Sequence, residues 1–276
     1  MAKDIPSAVR EVCLSFPEAE ETVSHGNADF RVRGKSFAYY LVNHHGDGRV
    51  ALWLNSPPGA QEMHVRGEPK HFFVPPYVGP RGWLGVILDK GLSWKRIAVL
   101  AREAYQKVAP RPLIDQIGDT IEIKPPTKKL SPEEIDPMKS KRAQGVLKEL
   151  RRICLAWPEV SEDTQFGYPV WRGGKKSFVS AYYHAKERLH LSFWVGVDRQ
   201  GLLTADKRYS IPMYIGHNGW IQLDVEKSID WDEVRALLLE SYRHFANRRM
   251  LMAMDPLETT QTKATKSKAT KSKRKS

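Results

Sequence analysis

The chain has 276 residues, of which 41% are hydrophobic and 28% are charged, and its formal net charge is +12. This composition is typical of a soluble globular protein and excludes a chain that is too polar to form a core. No apolar run approaches the roughly 20 residues of a membrane-spanning helix, and the first residues lack a signal-peptide pattern, so we expect a cytoplasmic protein that does not bind membranes.

The first predicted element is a helix over residues 7–16, with Ser7 as its N-cap and Pro17 as its stop. The following elements are strands over 29–33, 36–43 and 49–54, a short helix over 57–66, strands over 72–74 and 83–88, and a helix over 94–108. The predicted order is αβββαββα, with an antiparallel sheet and helices on one face. This arrangement belongs to the α+β class.

A proline-rich, charged stretch over residues 125–140 predicts an extended and exposed linker. It separates residues 1–124, which we call domain 1, from residues 141–256, which we call domain 2. The last segment, 257–276, is called the tail and has seven lysines and arginines against one acidic residue. Because the tail has no large apolar residue after Leu257, we expect it to be disordered.

Domain 2 repeats the sequence of domain 1. The stretch Cys13–Phe37 recurs without a gap as Cys154–Phe178, and Pro75–Trp83 recurs as Pro212–Trp220. A repeat of this length indicates two whole domains of the same fold. The two cysteines occupy equivalent positions on the apolar sides of predicted helices, so we expect reduced, buried thiols.

Strand periodicity places arginines and tryptophans on the sheet face opposite the predicted core in both domains. Guanidinium groups and flat rings suit phosphates and stacked bases. Alternatively, the tryptophans pack beneath the arginine stems, or the two domains bury these faces against each other. The candidate residues are Arg31, Arg33, Arg49 and Trp83 in domain 1 and Arg172, Arg188 and Trp220 in domain 2.

Lysines provide the other candidate contacts with nucleic acid. Lys35, Lys175 and Lys176 lie at predicted hairpin turns, where an ammonium group can reach a phosphate or simply be solvated. Cations spaced along the tail can follow a phosphate backbone and bind without sequence preference, or they can only make the terminus soluble. The tail candidates are Lys263, Lys266, Lys268, Lys271, Lys273, Arg274 and Lys275.

The sequence lacks the common catalytic motifs. It contains no Gly-x-Ser-x-Gly elbow, Walker loop, dinucleotide fingerprint or His-Glu-x-x-His, and its nine histidines and two cysteines lack zinc-site spacing. His25 is an isolated candidate, but domain 2 has Phe166 in its place, which favours a structural role. We therefore expect no enzymatic activity, no cofactor and no metal.

Three motifs carry a resemblance to a known family. They are Leu-x-Phe-Pro-Glu, then Phe-Arg-Val-x-Gly-Lys-x-Phe-Ala, and finally Gly-Trp before the last helix. Together they resemble the bacterial MmcQ/YjbR family, in two tandem copies over about Val9–Val108 and Val146–Phe245. The resemblance implies a CyaY-like (frataxin-like) fold and a DNA-binding role through a double wing.

In that resemblance, the Gly-Lys-x-Phe turn of the wing corresponds to Gly34–Phe37, and the Gly-Trp tryptophan corresponds to Trp83 and Trp220. Domain 2 departs from the pattern with Gly173-Gly174-Lys175-Lys176. Frataxin-like iron binding needs a carboxylate cluster, which the first helix of either domain lacks, so we do not expect it.

Our leading hypothesis is a non-enzymatic nucleic-acid-binding protein whose partner is DNA. The alternative is a scaffold that binds a protein or a small ligand through the arginine and tryptophan faces, with the tail acting only on solubility.

Overall fold

The structure is a computed structural model that describes residues 3–184 and 188–254. The chain forms two compact units, Met1–Pro137 and Met138–Ser276, which correspond to domains 1 and 2. Each unit has its own hydrophobic core and its own sheet. The two domains inferred from the repeat are therefore present.

Domain 1 packs helices on one face of an antiparallel sheet. Its helices are α1 (Ile5–Cys13), α2 (Ala60–Gly67), α3 (Trp94–Val108), α4 (Arg111–Ile114) and α5 (Pro132–Ile135). Its strands are β1 (Ala19–Ser24), β2 (Asn27–Val32), β3 (Lys35–Val42), β4 (Val50–Leu54), β5 (Phe72–Phe73) and β6 (Leu84–Ile87). The strand order in the sheet is β1-β2-β3-β4-β6-β5.

The core of domain 1 lies between the sheet and helices α1 and α3. Helix α1 begins at Asp4, whose carboxylate accepts a hydrogen bond from the Ser7 amide at 2.9 Å, and α3 begins at the N-cap Ser93. The Tyr105 hydroxyl donates to the Pro17 carbonyl at 2.7 Å. This bond ties α3 to the chain that leaves α1.

Domain 2 repeats this architecture. Its helices are α6 (Lys141–Cys154), α7 (Val197–Leu203) and α8 (Trp231–Phe245). Its strands are β7 (Val160–Gln165), β8 (Tyr168–Gly173), β9 (Lys176–His184), β10 (Arg188–Trp194), β11 (Tyr209–Ser210) and β12 (Trp220–Asp224). The strand order is β11-β12-β10-β9-β8-β7, and the Tyr242 hydroxyl donates to the Pro158 carbonyl at 2.8 Å.

The predicted α+β class with tandem antiparallel sheets is confirmed, but each sheet has one strand more than predicted. The additional strands are β1 and β7, which form one edge of their sheets, so the element order begins αββββ. Their side chains are mostly polar and partly or fully exposed on both faces. They lack the apolar alternation by which a half-buried strand is recognised in a sequence.

The predicted extended linker is wrong for residues 127–135. The amides of Thr127 and Lys128 donate to the Lys3 carbonyl at 3.0 and 3.2 Å, and Leu130 and Ile135 pack against the core of domain 1. Helix α5 begins with a capping box at Ser131. Leucine and isoleucine between the prolines give this segment enough apolar surface to fold back, and domain 1 extends to Pro137.

In residues 3–184 and 188–254, no helix combines the length and the apolar character that crossing a membrane requires.

Candidate nucleic-acid interface

The outward face of each sheet is the face that points away from α1 and α3, or from α6 and α8. In domain 1, Trp83 lies at this outward face, as expected from the sequence, but the face is covered at this point and is not open to solvent. Trp83 is 5% exposed and stacks on Tyr39 at 5.0 Å between ring centroids. Trp53, on the same face, is also buried.

The loop Pro75–Trp83 covers the outward face of domain 1. Its Val78 packs with Trp53, Phe73 and Trp83 in a small apolar cluster that is separate from the main core. From α2, the Gln61 side-chain amide donates to the carbonyls of Gly79 and Trp83, at 2.8 and 2.5 Å. Trp53 and Trp83 therefore stabilise this loop. The packing alternative predicted their burial, but under arginine stems or between the two domains, whereas the cover here is the loop.

The outward face of domain 2 is polar instead. Ser192 occupies the strand position of Trp53, and the neighbouring Gln222 accepts from the Tyr182 hydroxyl and donates to Ser210 at 2.7 Å. Burial raises the pKa of Tyr182 to about 12, so its hydroxyl stays protonated. Trp220 was also predicted on this face, but its partly exposed ring lies 5.7 Å from that of Phe245, the last residue of α8.

Each candidate arginine of the outward faces is held by a carboxylate of its own domain. Arg31 donates to Asp29 at 2.7 Å, and Arg33 donates to Glu18 at 2.7 Å. The partners of the others are Asp47 for Arg49 (3.3 Å), Asp163 for Arg172 (3.0 Å) and Asp224 for Arg188 (2.6 Å).

Further contacts hold two of these guanidinium groups in place. Arg49 also lies over the Phe73 ring at 4.3 Å, and Arg172 also donates to Ser177 at 2.8 Å. The Thr164 amide, and then Arg172, hold the pKa of Asp163 below its usual value. A phosphate that approached these arginines would have to compete with an internal carboxylate.

The lysines at the hairpin turns differ from these arginines. The turn Arg33–Lys35 between β2 and β3 is called wing 1, and the turn Gly173–Lys176 between β8 and β9 is called wing 2. Lys35, Lys175 and Lys176 are exposed and have no hydrogen-bond or ion-pair partner among the described residues. Gly34 and Gly174 have positive φ angles of 76° and 60°, which allow the tight turns.

Wing 2 lies beside the end of the described chain. A methyl group at Gly173 would stand 3.1 Å from Met250 Cε and 3.2 Å from the Tyr242 ring. Met250 and Met254 are buried in the core of domain 2, and Arg249 donates to Glu159 at 2.7 Å. These contacts anchor the residues that precede the tail close to wing 2.

The tail candidates, from Lys263 to Lys275, lie outside the described residues. The expectation of free thiols is met, because Cys13 and Cys154 are unpaired and buried. Within the described ranges, no group of three or more histidine, cysteine, aspartate or glutamate side chains could hold a metal ion.

Sequence reasoning missed two exposed rings in the loops before the Gly-Trp motifs. Tyr77 is 67% exposed and Tyr214 is 74% exposed. The Tyr77 hydroxyl is 3.0 Å from His45 Nε2. The repeated Pro75–Trp83 motif contains both rings. We expected its tryptophan to be exposed, whereas the exposed ring is its tyrosine.

Comparisons with known proteins identify the family. The sequence model of the YjbR family matches residues 14–107 and 155–244. One solved structure that resembles this chain is a Deinococcus radiodurans protein of the domain family DUF419, at 20% identity and a TM-score of 0.35, covering 44% of this chain and 94% of that one. Among curated proteins, none matches. Since the two matched regions make up most of both domains, the chain belongs to the YjbR family and carries two tandem copies of its domain.

Proposed function

We propose that the chain is a non-enzymatic DNA-binding protein in which wing 2 and the tail make the main contacts. The observation that carries this proposal is the position of Lys175 and Lys176. Both are exposed, have no partner in residues 3–184 and 188–254, and lie beside the anchored residues that lead into the tail. Lysines at a hairpin turn and lysines spaced by small residues along a sequence can contact successive phosphates of one backbone. We propose DNA as the nucleic acid because the resemblance to the YjbR family implies a DNA-binding role.

Wing 1 has the weaker positive charge. Its Lys35 is exposed, but the neighbouring Arg33 is paired with Glu18. The outward rings of Tyr77 and Tyr214 add surfaces on which a base or a sugar can stack. We therefore assign wing 1 and the tyrosines a supporting part in binding.

The cysteines support the non-enzymatic part of the proposal. Burial raises the pKa of the Cys13 and Cys154 thiols well above the usual value. Since the thiolate is the reactive form of cysteine, neither residue is suited to act as a nucleophile.

The test neutralises wing 2 in the full-length chain. In the Lys175→Ala/Lys176→Ala double variant, we expect binding to a short DNA duplex to weaken by about tenfold or more at moderate salt, with a salt slope shallower by about 2 units. Fluorescence anisotropy over a range of salt concentrations measures both quantities.

The matched control is Lys148→Ala/Lys207→Ala, which removes two exposed, unpaired lysines of the same domain that lie outside wing 2. It should change affinity by less than the wing variant. Equal losses in both variants would mean that binding depends only on net charge. Single-stranded DNA and RNA of the same length test the preference for duplex DNA.

A second candidate function is binding of a protein partner. The loop after β11 exposes Ile211, Met213 and Tyr214, at 54%, 82% and 74% of their surfaces. Apolar side chains clustered on a surface are typical of protein contacts. This function would be favoured if full-length protein failed to bind duplex DNA, single-stranded DNA and RNA even at low salt.

A further inference from the structure

Domain 2 has an open cleft beside the start of α6. Its volume is about 440 Å³, and it is lined by Lys141, Arg142, Gly145 and Val146 of α6 together with Ile229 and Trp231. Trp231 and Ile229 are only partly buried. A cleft of this size lies in the range of small-molecule sites, which is about 300–1,000 Å³.

Domain 1 buries the equivalent residues. The counterparts of Ile229 and Trp231 in the repeat are Leu92 and Trp94, and both are buried, whereas Val146 is buried like its counterpart Ile5. The chain that follows α4 returns to the start of α1, where residues 127–128 bond to the Lys3 carbonyl and Leu130 packs against the core. Domain 1 thus covers this part of its surface with its own chain.

The residues that follow α8 differ from the segment that covers domain 1. After α8, the buried residues Met250 and Met254 occupy the positions of Leu113 and Ile117, of which Leu113 is buried and Ile117 partly buried, and the tail follows. The tail has no large apolar residue after Leu257, and its seven cations would be repelled by Lys141 and Arg142. The chemistry of the tail therefore does not match that of the cleft.

The cleft combines a positive side with an apolar side. Arg142 Nε donates to the Val225 carbonyl at 3.0 Å, and Nη2 donates to the carbonyls of Val225 and Lys227. These bonds position the guanidinium, while its Nη1 has no acceptor among the described residues. Lys141 is exposed and has no partner within the described ranges. None of the six lining residues is acidic, and the nearby Asp230 carboxylate accepts from the amides of Asp232 and Glu233 as the cap of α8.

We propose that this cleft binds a small ligand that joins an anionic group to a planar ring, such as a nucleoside monophosphate. Lys141 and Arg142 Nη1 contact the anionic group. Trp231 and the aliphatic side chain of Ile229, which are both partly exposed, contact the ring. The site uses no residue of the wings or the tail, so it stands whether or not those bind DNA.

The first test is calorimetric titration of the full-length chain with adenosine 5′-monophosphate (AMP), adenosine and inorganic phosphate, at a salt concentration that screens the tail. We expect AMP to bind at least tenfold more tightly than either of its parts. Absence of AMP binding, or binding no tighter than that of phosphate alone, would overturn the proposal.

The second test fills the cleft without disturbing the fold. A methyl group built at Gly145 meets no atom within 4 Å, and replacing a helical glycine by leucine favours the helix. Gly145→Leu should therefore lower AMP affinity at least tenfold while the melting temperature does not fall. Gly201→Leu, at an equally open helical glycine outside the cleft, is the matched control and should bind AMP like the unmodified protein.

Charge reversal separates the cleft from general electrostatics. Lys141→Glu should lower AMP affinity at least tenfold, whereas Lys148→Glu, an exposed lysine of the same helix that does not line the cleft, should change it by less than about twofold. If Lys141→Glu and Lys148→Glu lowered AMP affinity equally, or if Gly145→Leu bound AMP as tightly as the unmodified protein, AMP would bind elsewhere and the proposed site would be wrong.

Discussion

At the residue scale, the partner of a charged side chain decides whether it is available to a ligand. Sequence periodicity placed Arg31, Arg33 and Arg172 near the outward faces, but it did not reveal their carboxylate partners. Two of those partners, Glu18 and Asp163, lie just before or within the polar edge strands β1 and β7, which sequence reasoning missed. Lys175 and Lys176 were also candidates from the sequence, and neither has a partner in the part of the chain that the structure describes.

A second residue-scale feature is the tyrosine that closes each domain. The hydroxyls of Tyr105 and Tyr242 donate to the carbonyls of Pro17 and Pro158. Burial raises the pKa of Tyr242 to about 12, so this hydroxyl remains a donor at neutral pH. Equivalent bonds in both domains indicate that this contact is part of the shared fold.

We predict that Tyr105→Phe and Tyr242→Phe each lower the free energy of unfolding of their domain by about 1 kcal/mol, because a carbonyl loses its donor. Urea denaturation measures the change. Tyr214→Phe, at an exposed tyrosine, is the control and should stay within about 0.5 kcal/mol of the unmodified protein. No loss in either buried variant would contradict the structural role of these bonds.

At the element scale, the repeat and the alternation of apolar residues were sufficient to predict the helices that both domains share and the central strands, but not the short helices α4 and α5. They could not predict what covers the sheet, because a loop that packs on an outward face leaves no periodic signal. For this reason Trp83 was expected on an open surface, although the Pro75–Trp83 loop buries it. Gln61 and Gln200 hold the loops of the two domains through equivalent pairs of carbonyls.

The two loops end in equivalent glycines with different surroundings, which gives an element-scale prediction. Gly82 and Gly219 have positive φ angles of 81° and 86°. A methyl group at Gly82 meets no atom within 4 Å, whereas at Gly219 it would stand 2.8 Å from Gly196 Cα. Alanine at Gly82 should therefore suffer only backbone strain, while alanine at Gly219 should also clash.

We expect Gly82→Ala to destabilise domain 1 by about 1–2 kcal/mol. Gly219→Ala should destabilise domain 2 by about 1–3 kcal/mol more than that, because the clash is added to the strain. Residue-resolved hydrogen exchange reports the stability of each domain separately. A smaller loss for Gly219→Ala than for Gly82→Ala would show that the close packing of this loop is incorrect.

At the scale of the whole molecule, the two copies of one fold have diverged. Domain 1 covers both its outward face and the start of its first helix with its own chain. Domain 2 has a polar outward face, an open cleft at α6, and a second lysine at its wing. The duplication was evident from the sequence, but this difference depends on packing partners that lie far apart in the chain.

The central claim is that the tail and wing 2 bind DNA, and the most direct test is the salt dependence of binding with and without Leu257–Ser276. If the seven cations of the tail contact about six phosphates, its removal should reduce the slope of log K against log salt by about 5 units and weaken binding at every salt concentration. An affinity and a slope that remain the same after the deletion would contradict this account.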